Sequence, residues 1–207
     1  AYGIYLKDGN NSEIANAGTI YANGDNAHGI YVDENAHNAT IINTGSIYLN
    51  GTNAGDAGIT LNGGTLRNMS LMSFNGAANL NDLNGLIYLE DGGVYQAESL
   101  EGDLNVGTSN VLGGNQDTYV NEGALQADNI DNLNLASESA MFTARATANA
   151  NGNGNDVVLE RKDFAEFTPN ESIANYLEDN YRAGNMEEMY DEIKSQRSQP
   201  NVNLAIA

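Results

Sequence analysis

Hydrophobic and polar positions along the first 53 residues recur with a period of 26 to 27. Residues 1 to 26 (AYGIYLKDGNNSEIANAGTIYANGDN) align with residues 27 to 53 (AHGIYVDENAHNATIINTGSIYLNGTN) after one residue is inserted in the loop between the strand-like runs. Gly3-Ile4-Tyr5 falls on Gly29-Ile30-Tyr31, and Asn16 to Tyr21 falls on Asn43 to Tyr48. Repetition at this spacing marks a solenoid. Each copy holds two short β-type runs, Ile4 to Leu6 and Thr19 to Ala22 in the first, separated by Gly, Asn and Asp clusters that supply turns. Helical periodicity is absent from this stretch. Two or three short strands per rung, with rungs stacked about 4.8 Å apart, predict a right-handed parallel β-helix within an all-β fold.

Alternation assigns the faces. Ile4 and Leu6 oppose Tyr5, and Ile20 and Ala22 oppose Tyr21, with the same order at Ile30-Tyr31-Val32 and Ile47-Tyr48-Leu49. The aliphatic side chains form a narrow interior. The tyrosines form two exterior ladders, Tyr5 over Tyr31 and Tyr21 over Tyr48. Stacked rings stabilise neighbouring rungs by about 0.5–1.5 kcal/mol per pair without binding anything. The other reading is a contact strip for a host or bacterial surface protein or glycan, since interfaces are enriched in aromatic residues. Asn16 and Asn43 also recur, either as an inward amide ladder or as solvated turn residues.

A third, decayed copy begins at Gly58-Ile59-Thr60-Leu61, where Thr60 takes the Tyr place, and strands are predicted at 64–70, 86–89 and 93–96. From about residue 100 the repeat is gone. Strands 140–148 and 156–162 flank the turn-prone Asn149 to Asn155 and predict a capping hairpin. After Phe164 and Phe167 the pattern turns helical. Thr168 and Glu171 bracket Pro169 as a capping pair, Ile173, Ala174, Leu177 and Tyr181 share one face, and Gly184 is a left-handed stop. Asn185 and Glu188 form a second capping pair ahead of Met186, Met189, Tyr190 and Ile193, and Pro200 breaks the pattern, so a short helical hairpin closes the chain. The expected organisation is β-helix rungs over 1–99, a capping β region over 100–165 and a helical segment over 166–207.

Composition narrows the function. The chain has 207 residues, with 4 Phe, 11 Tyr, 23 Gly and neither Trp nor Cys, so a large aromatic core and a disulfide framework are excluded. Formal charge is −20, divided as −15 over residues 1–165 and −5 over 166–207, which disfavours nucleic acid and anionic lipid as partners. His28 and His37 are the only imidazoles, and no metal or cofactor site is read from the sequence. The Asn- and Asp-rich loops at 8–11, 23–26 and 151–156 are oxygen-rich, but no EF-hand or Gly-Gly-x-Gly-x-Asp nonapeptide is present, and turn chemistry explains the same residues. Acid neighbours such as Glu90-Asp91, Asp33-Glu34 and Glu187-Glu188 make poor catalytic pairs on strands, where adjacent side chains point to opposite faces. No Gly-x-Ser-x-Gly elbow appears.

The order of parts carries a resemblance. Asn-x-Gly-[Ser/Thr]-Ile repeats fade into a less regular β region, then come a Gly-Asn-Asp hairpin ending Asp156-Val157-Val158-Leu159 and the helical Glu171 to Leu177. This order resembles the C-terminal end of a type V autotransporter passenger domain over nearly the whole chain. The resemblance implies a non-catalytic stalk, exported C-terminal end first, with residues 100–165 in an autochaperone-like role and the helical segment leading toward the protein's own outer-membrane β-barrel. It implies an adhesin parent at the cell surface or secreted from a Gram-negative bacterium. The chain opens inside a repeat, so targeting signals are expected outside this stretch. The alternatives are a carbohydrate-active β-helical enzyme fragment, a glycosidase or lyase, and the stalk of a protease autotransporter.

Overall fold

A computed structural model of the chain describes residues 1–51 and 58–207, so the end of the second repeat, Thr52 and Asn53, lies outside the described residues. The fold is a parallel β-solenoid of about 5 turns followed by three helices. The first rung comprises β1 (Tyr2–Leu6), β2 (Gly9–Asn10), β3 (Glu13–Asn16) and β4 (Thr19–Asn23). The second comprises β5 (His28–Val32), β6 (Ala36–His37), β7 (Thr40–Asn43) and β8 (Ser46–Asn50). Stacking registers reproduce the repeat: Tyr5 lies on Tyr31, Asn16 on Asn43 and Tyr21 on Tyr48. Leu6 pairs with Val32 but Gly9 with Ala36, which places the inserted residue in the turn after β5. Each rung therefore has four strands, and the β3/β7 face was not among the two strand-like runs read from the repeat.

The next strands are β9 (Ile59–Thr60), β10 (Thr65–Asn68), β11 (Leu71–Phe74), β12 (Ala77–Asn79), β13 (Leu86–Leu89), β14 (Val94–Gln96) and β15 (Ser99–Val106). The first face stops at β9 and is continued by a 3₁₀ turn, where the Leu61 amide donates to Leu83 O at 2.8 Å. Among the described residues the β2/β6 pairing stops at two strands, while the β3/β7 and β4/β8 faces continue and parallel stacking runs past residue 99. β16 (Thr118–Gln126) lies parallel to β14 through Tyr95 and Leu125, and β17 (Leu133–Ser137) lies parallel to β15.

Termination is built into β16. Its second half continues the parallel stack, while its first half pairs antiparallel with β19 (Asn155–Arg161), with an irregularity between Asn121 and Leu125. There Gly123 has φ of 60° and donates its N–H to Asp156 Oδ1 at 2.8 Å, a bend that glycine accommodates without a Cβ penalty. β18 (Phe142–Ala148) pairs antiparallel with β19, so the predicted hairpin is present and closes the sheet.

Ile30, Val32, Ile41, Ile47 and Leu49 are all under 5 % exposed, each contributing about 1.5–3 kcal/mol of burial. In the first rung the equivalent Ile4, Leu6, Ile14 and Ile20 are only partly buried, because β1, β3 and β4 are paired on one side only. The opposite end is covered by α1 (Glu171–Arg182), α2 (Glu187–Lys194) and α3 (Gln199–Ala205). Phe164, Phe167, Leu177, Tyr181, Tyr190, Ile193 and Val202 join the same buried core as the rungs. The tail is thus three helices: Pro200 does not end the helical segment but lies in the first turn of α3, behind a Ser198 cap, where its missing N–H costs nothing.

Candidate functional site

Both tyrosine ladders form. Tyr21 and Tyr48 stack with ring centroids 4.9 Å apart and 10° between planes, a separation set by the rung spacing. Tyr5 and Tyr31 meet at 5.6 Å, tilted by 52°. The second ladder is larger than the sequence suggested. In β5 the residues Gly29 and Ile30 are both buried while His28 and Tyr31 are not, which breaks strict alternation. A Cβ on Gly29 would lie 2.8 Å from Leu49 Cδ2 and one on Gly3 2.7 Å from the Gly29 carbonyl oxygen, so the paired glycines let the strands turn inward here. As a result Tyr2 and His28 emerge beside Tyr5 and Tyr31. Tyr2 stacks on Tyr5 at 4.9 Å and on His28 at 5.4 Å, and Tyr31 meets Tyr2 and His28 edge-on at 5.4 Å each. Tyr2, Tyr5 and Tyr21 remain about half exposed or more (53 %, 48 % and 63 %). The Tyr5 hydroxyl donates to Asp33 Oδ2 at 3.3 Å; partial desolvation and that carboxylate push its pKa up. Hydrogen bonds from the backbone N–H and side-chain amide of Asn35 hold the Asp33 pKa down.

The asparagines form an inward ladder of three. Asn16 Nδ2 donates to Asn43 Oδ1 at 2.9 Å, Asn43 Nδ2 donates to Asn68 Oδ1 at 2.8 Å, and Asn68 Nδ2 ends on Val94 O at 3.0 Å. Asn43 and Asn68 are fully buried. A primary amide suits this position because its donor and acceptor repeat along the stack, leaving each buried group satisfied. Further exposed pairs follow the same rule: Asn50 donates to Asn23 at 2.9 Å and Asn84 to Asn62 at 3.0 Å.

Paired charges run from the third rung to the closed end. Arg67 on β10 pairs with Glu90 and, at 2.8 Å, with Glu138; its guanidinium lies 4.1 Å over the Tyr88 ring. Ser109 donates to Glu90, while Glu138 also accepts the Thr108 N–H at 3.0 Å and pairs with Arg197 at 3.1 Å. Burial alone raises the Glu138 pKa, but the hydrogen bonds and charges of these partners outweigh it and leave the carboxyl below its ordinary value. The Arg161 side chain, 4 % exposed, bridges Asp117 at 2.8 Å and Glu178 of α1 at 2.7 Å. Lys194, 1 % exposed, reaches Asp191 at 2.7 Å, Gly114 O at 2.6 Å and the Tyr119 hydroxyl at 3.2 Å. Gly113 and Gly114, both at positive φ, turn their N–H groups onto Asp191 (3.2 Å) and Glu187 (2.7 Å). These contacts fasten the 112–117 loop to the helices.

The helix caps differ from the expected ones. Asn170, not Thr168, caps α1, its Oδ1 accepting from Ser172 N at 3.1 Å and Ile173 N at 3.3 Å. Thr168 is held two residues earlier, its N–H on Phe164 O and its Oγ1 accepting from Asn170 N; Glu171 is the first helical residue and not the third. Gly184, with φ of 71°, does stop α1: its N–H returns to Tyr181 O and that of Asn185 to Asn180 O, both at 3.0 Å. This commits Asn185 to the preceding helix, where its amide also bonds Asn180. Met186, in the left-handed region at φ 53°, precedes α2 without any side-chain cap, so Asn185 and Glu188 are not a capping pair.

The acids weighed as catalytic are engaged or scattered. Glu90 is tied to Arg67 and Ser109, Asp33 to Asn35 and Tyr5, and Glu187 to Gly114. Asp156, in one oxygen-rich loop, accepts from Asn149 at 2.6 Å and from Gly123. Among the described residues no three imidazole or carboxylate groups converge on one point, and no helix is long and apolar enough to cross a membrane. Compared with known protein families, curated proteins and solved structures, the chain matches none.

Proposed function

We propose that this chain is the non-catalytic, membrane-proximal stretch of a type V autotransporter passenger: a rigid surface stalk whose C-terminal half templates folding during export and whose repeats display an adhesin. One observation carries the reading. The parallel stack is sealed on its C-terminal side by an antiparallel hairpin, buried ion pairs and three helices. A stack closed in this way supports a reading in which the C-terminal part leaves the cell first and templates the rungs that dock on it. The helical segment belongs to this sealed end as a packed cap and would precede the barrel of the full protein.

The test is surface display from a surrogate outer-membrane barrel, scored by protease-resistant rungs on intact cells. Removing residues 100–165 is expected to leave the repeats protease-sensitive, with supply of that segment in trans restoring resistance. Normal display and resistance without the segment would falsify the template role.

A further inference from the structure

Where β16 leaves the parallel sheet, the irregularity between Asn121 and Leu125 turns Glu122 to solvent beside the 149–155 turn of the closing hairpin. Between strand and turn lies a hollow of about 200 Å³, lined by neither chain terminus. Val94 of β14, half-buried, is the one apolar side chain lining it, and Glu122, Gln126, Asn151 and Asn153 stand around it. Its walls are held by bonds within the fold. Asp156 Oδ1 accepts from Gly123 N at 2.8 Å and from Asn149 Nδ2 at 2.6 Å, and Asn149 Oδ1 accepts from Asn151 N at 2.9 Å. Asn149 N on Gly154 O and Gly152 N on Asn149 O, both at 3.0 Å, close the turn. Gly154, at φ 74°, lies so near β16 that a Cβ on it would be 2.3 Å from Leu125 O. Little ordering of the backbone is therefore left for a ligand to impose. The lining side chains are uncommitted by contrast: among the described residues those of Glu122, Gln126, Asn151 and Asn153 make no hydrogen bond.

The donor and acceptor set selects the ligand. A carboxylate accepts from two hydroxyls, and each primary amide both donates and accepts, which matches a ring carrying neighbouring O–H groups. A calcium ion fits poorly, because the nearby Asp156 already has two N–H groups directed at one oxygen and no three imidazole or carboxylate groups converge among the described residues. An anion is opposed by Glu122 and by the net charge of −20. The volume is below the roughly 300 Å³ at which pockets for drug-sized ligands begin, so a single ring is what it holds. We propose that this hollow binds one neutral hexopyranose unit of a glycan. Glu122 and the amides of Gln126, Asn151 and Asn153 bond its hydroxyls, and Val94 meets the C–H face of its ring. This reading and the export reading fail separately, because sugar binding is measured on the folded 207-residue chain and export on cells.

The probes are the methyl glycosides of glucose, galactose and mannose, added at millimolar concentration to the isotope-labelled chain while its side-chain amide resonances are followed by NMR. At least one is expected to bind and to shift the amides of Gln126, Asn151 and Asn153. The same sugar should leave the Asn50 and Asn84 amides, which are paired with other asparagines, unmoved. Its affinity should be the same at low and high ionic strength, since the ligand carries no charge. Glu122→Ala is expected to weaken binding about tenfold or more and Gln126→Ala about three- to fivefold. Neither side chain bonds within the fold, so an unchanged melting temperature in both variants separates lost binding from lost folding. The uronic acid of whichever sugar binds should bind more weakly. A uronic acid that binds more tightly than its neutral parent would overturn the proposal. Calcium chloride shifting these amides while the sugars do not would make the hollow a cation site and overturn it as well. So would the absence of binding by all three glycosides, or binding indifferent to both substitutions.

Discussion

Asn43→Ala removes the middle member of the buried amide ladder, and its cost follows from the partners it strands. Asn68 Oδ1 loses its 2.8 Å donor and keeps only a 3.4 Å approach from Ser70 N, in a residue with no solvent exposure. An unsatisfied buried acceptor costs about 1–3 kcal/mol. Asn16 Nδ2 loses a 2.9 Å bond but keeps Gly18 O at 3.2 Å and lies at a half-exposed end, so its share is about 0.5–1 kcal/mol. The void left by the amide adds a little more. The expected total is roughly 2–4 kcal/mol, a fall of about 5–15 °C in melting temperature for a chain of this size. Asn16→Ala strands one buried acceptor in turn, Asn43 Oδ1, and should cost about 1–3 kcal/mol, less than Asn43→Ala because a single bond of the ladder is lost.

Solenoids can melt in steps, so midpoints from far-UV circular dichroism and tyrosine fluorescence are compared variant by variant. Asn43→Asp adds a sign test. An ionised carboxylate at this position would face Asn68 Oδ1, so its folded-state pKa should lie above the unfolded value, and its relative stability should be greatest in acid and lost as the pH rises from the unfolded value through that raised one. An Asn43→Ala cost below about 1 kcal/mol, or an Asn43→Asp variant as stable as wild type at neutral pH, would refute the claim that the amides act as a buried ladder.

Arg161→Met leaves Glu178 buried without its main partner, which should cost about 3–5 kcal/mol and expose residues 171–207 to proteolysis before the rungs open. Glu138 has a depressed folded-state pKa, so its stabilisation is present above the ordinary value of 4.5 and lost as the pH falls through the lower folded value. Acid titration of wild type against Glu138→Gln should show a steeper loss below pH 4.5 in the wild type. Gly45→Ala would drive a Cβ into the Gly18 carbonyl oxygen, so the two rungs must separate; a loss of at least about 3 kcal/mol is expected by urea titration.

What the sequence disclosed follows from what repeats. Two copies 26 to 27 residues apart predict which tyrosine lies over which, and the registers agree. The Asn16–Asn43 contact was legible for the same reason, but Asn68 was not, because the third copy has lost the Gly that marked the position and reads Asn68-Met69-Ser70. The β3/β7 face was obscured by Glu13-Ile14-Ala15-Asn16, which carries one strong apolar residue. Tyr2 and His28 joined the aromatic cluster through the double inward turn at Gly29-Ile30, which strict alternation does not foresee. The helix caps moved because tertiary context overrode local preference: Asn170 had free access to two amides, while Asn185 was committed to closing α1. The ion network was invisible, since Arg67 and Glu138 are 71 positions apart and no local pattern relates them.

The same division between what repeats and what does not bears on how the chain finds its register. Amide and tyrosine ladders are satisfied by any equivalent neighbour, so a rung displaced by one repeat would keep Asn on Asn and Tyr on Tyr. Ladders therefore reward stacking without specifying which rung comes next. Specification has to come from contacts that occur once: Arg67 with Glu90 and Glu138, Arg161 with Asp117 and Glu178, and Lys194 with Gly114 and Tyr119. The contacts of Arg161 and Lys194 lie at the sealed end, and those of Arg67 tie the third rung to it through Glu138. They fix β10, on which β7 docks, and β7 in turn takes β3. Unique contacts placed on that side support the proposed order of assembly, from the helices toward Tyr2, because in the opposite order the ladders would form before anything had chosen their register.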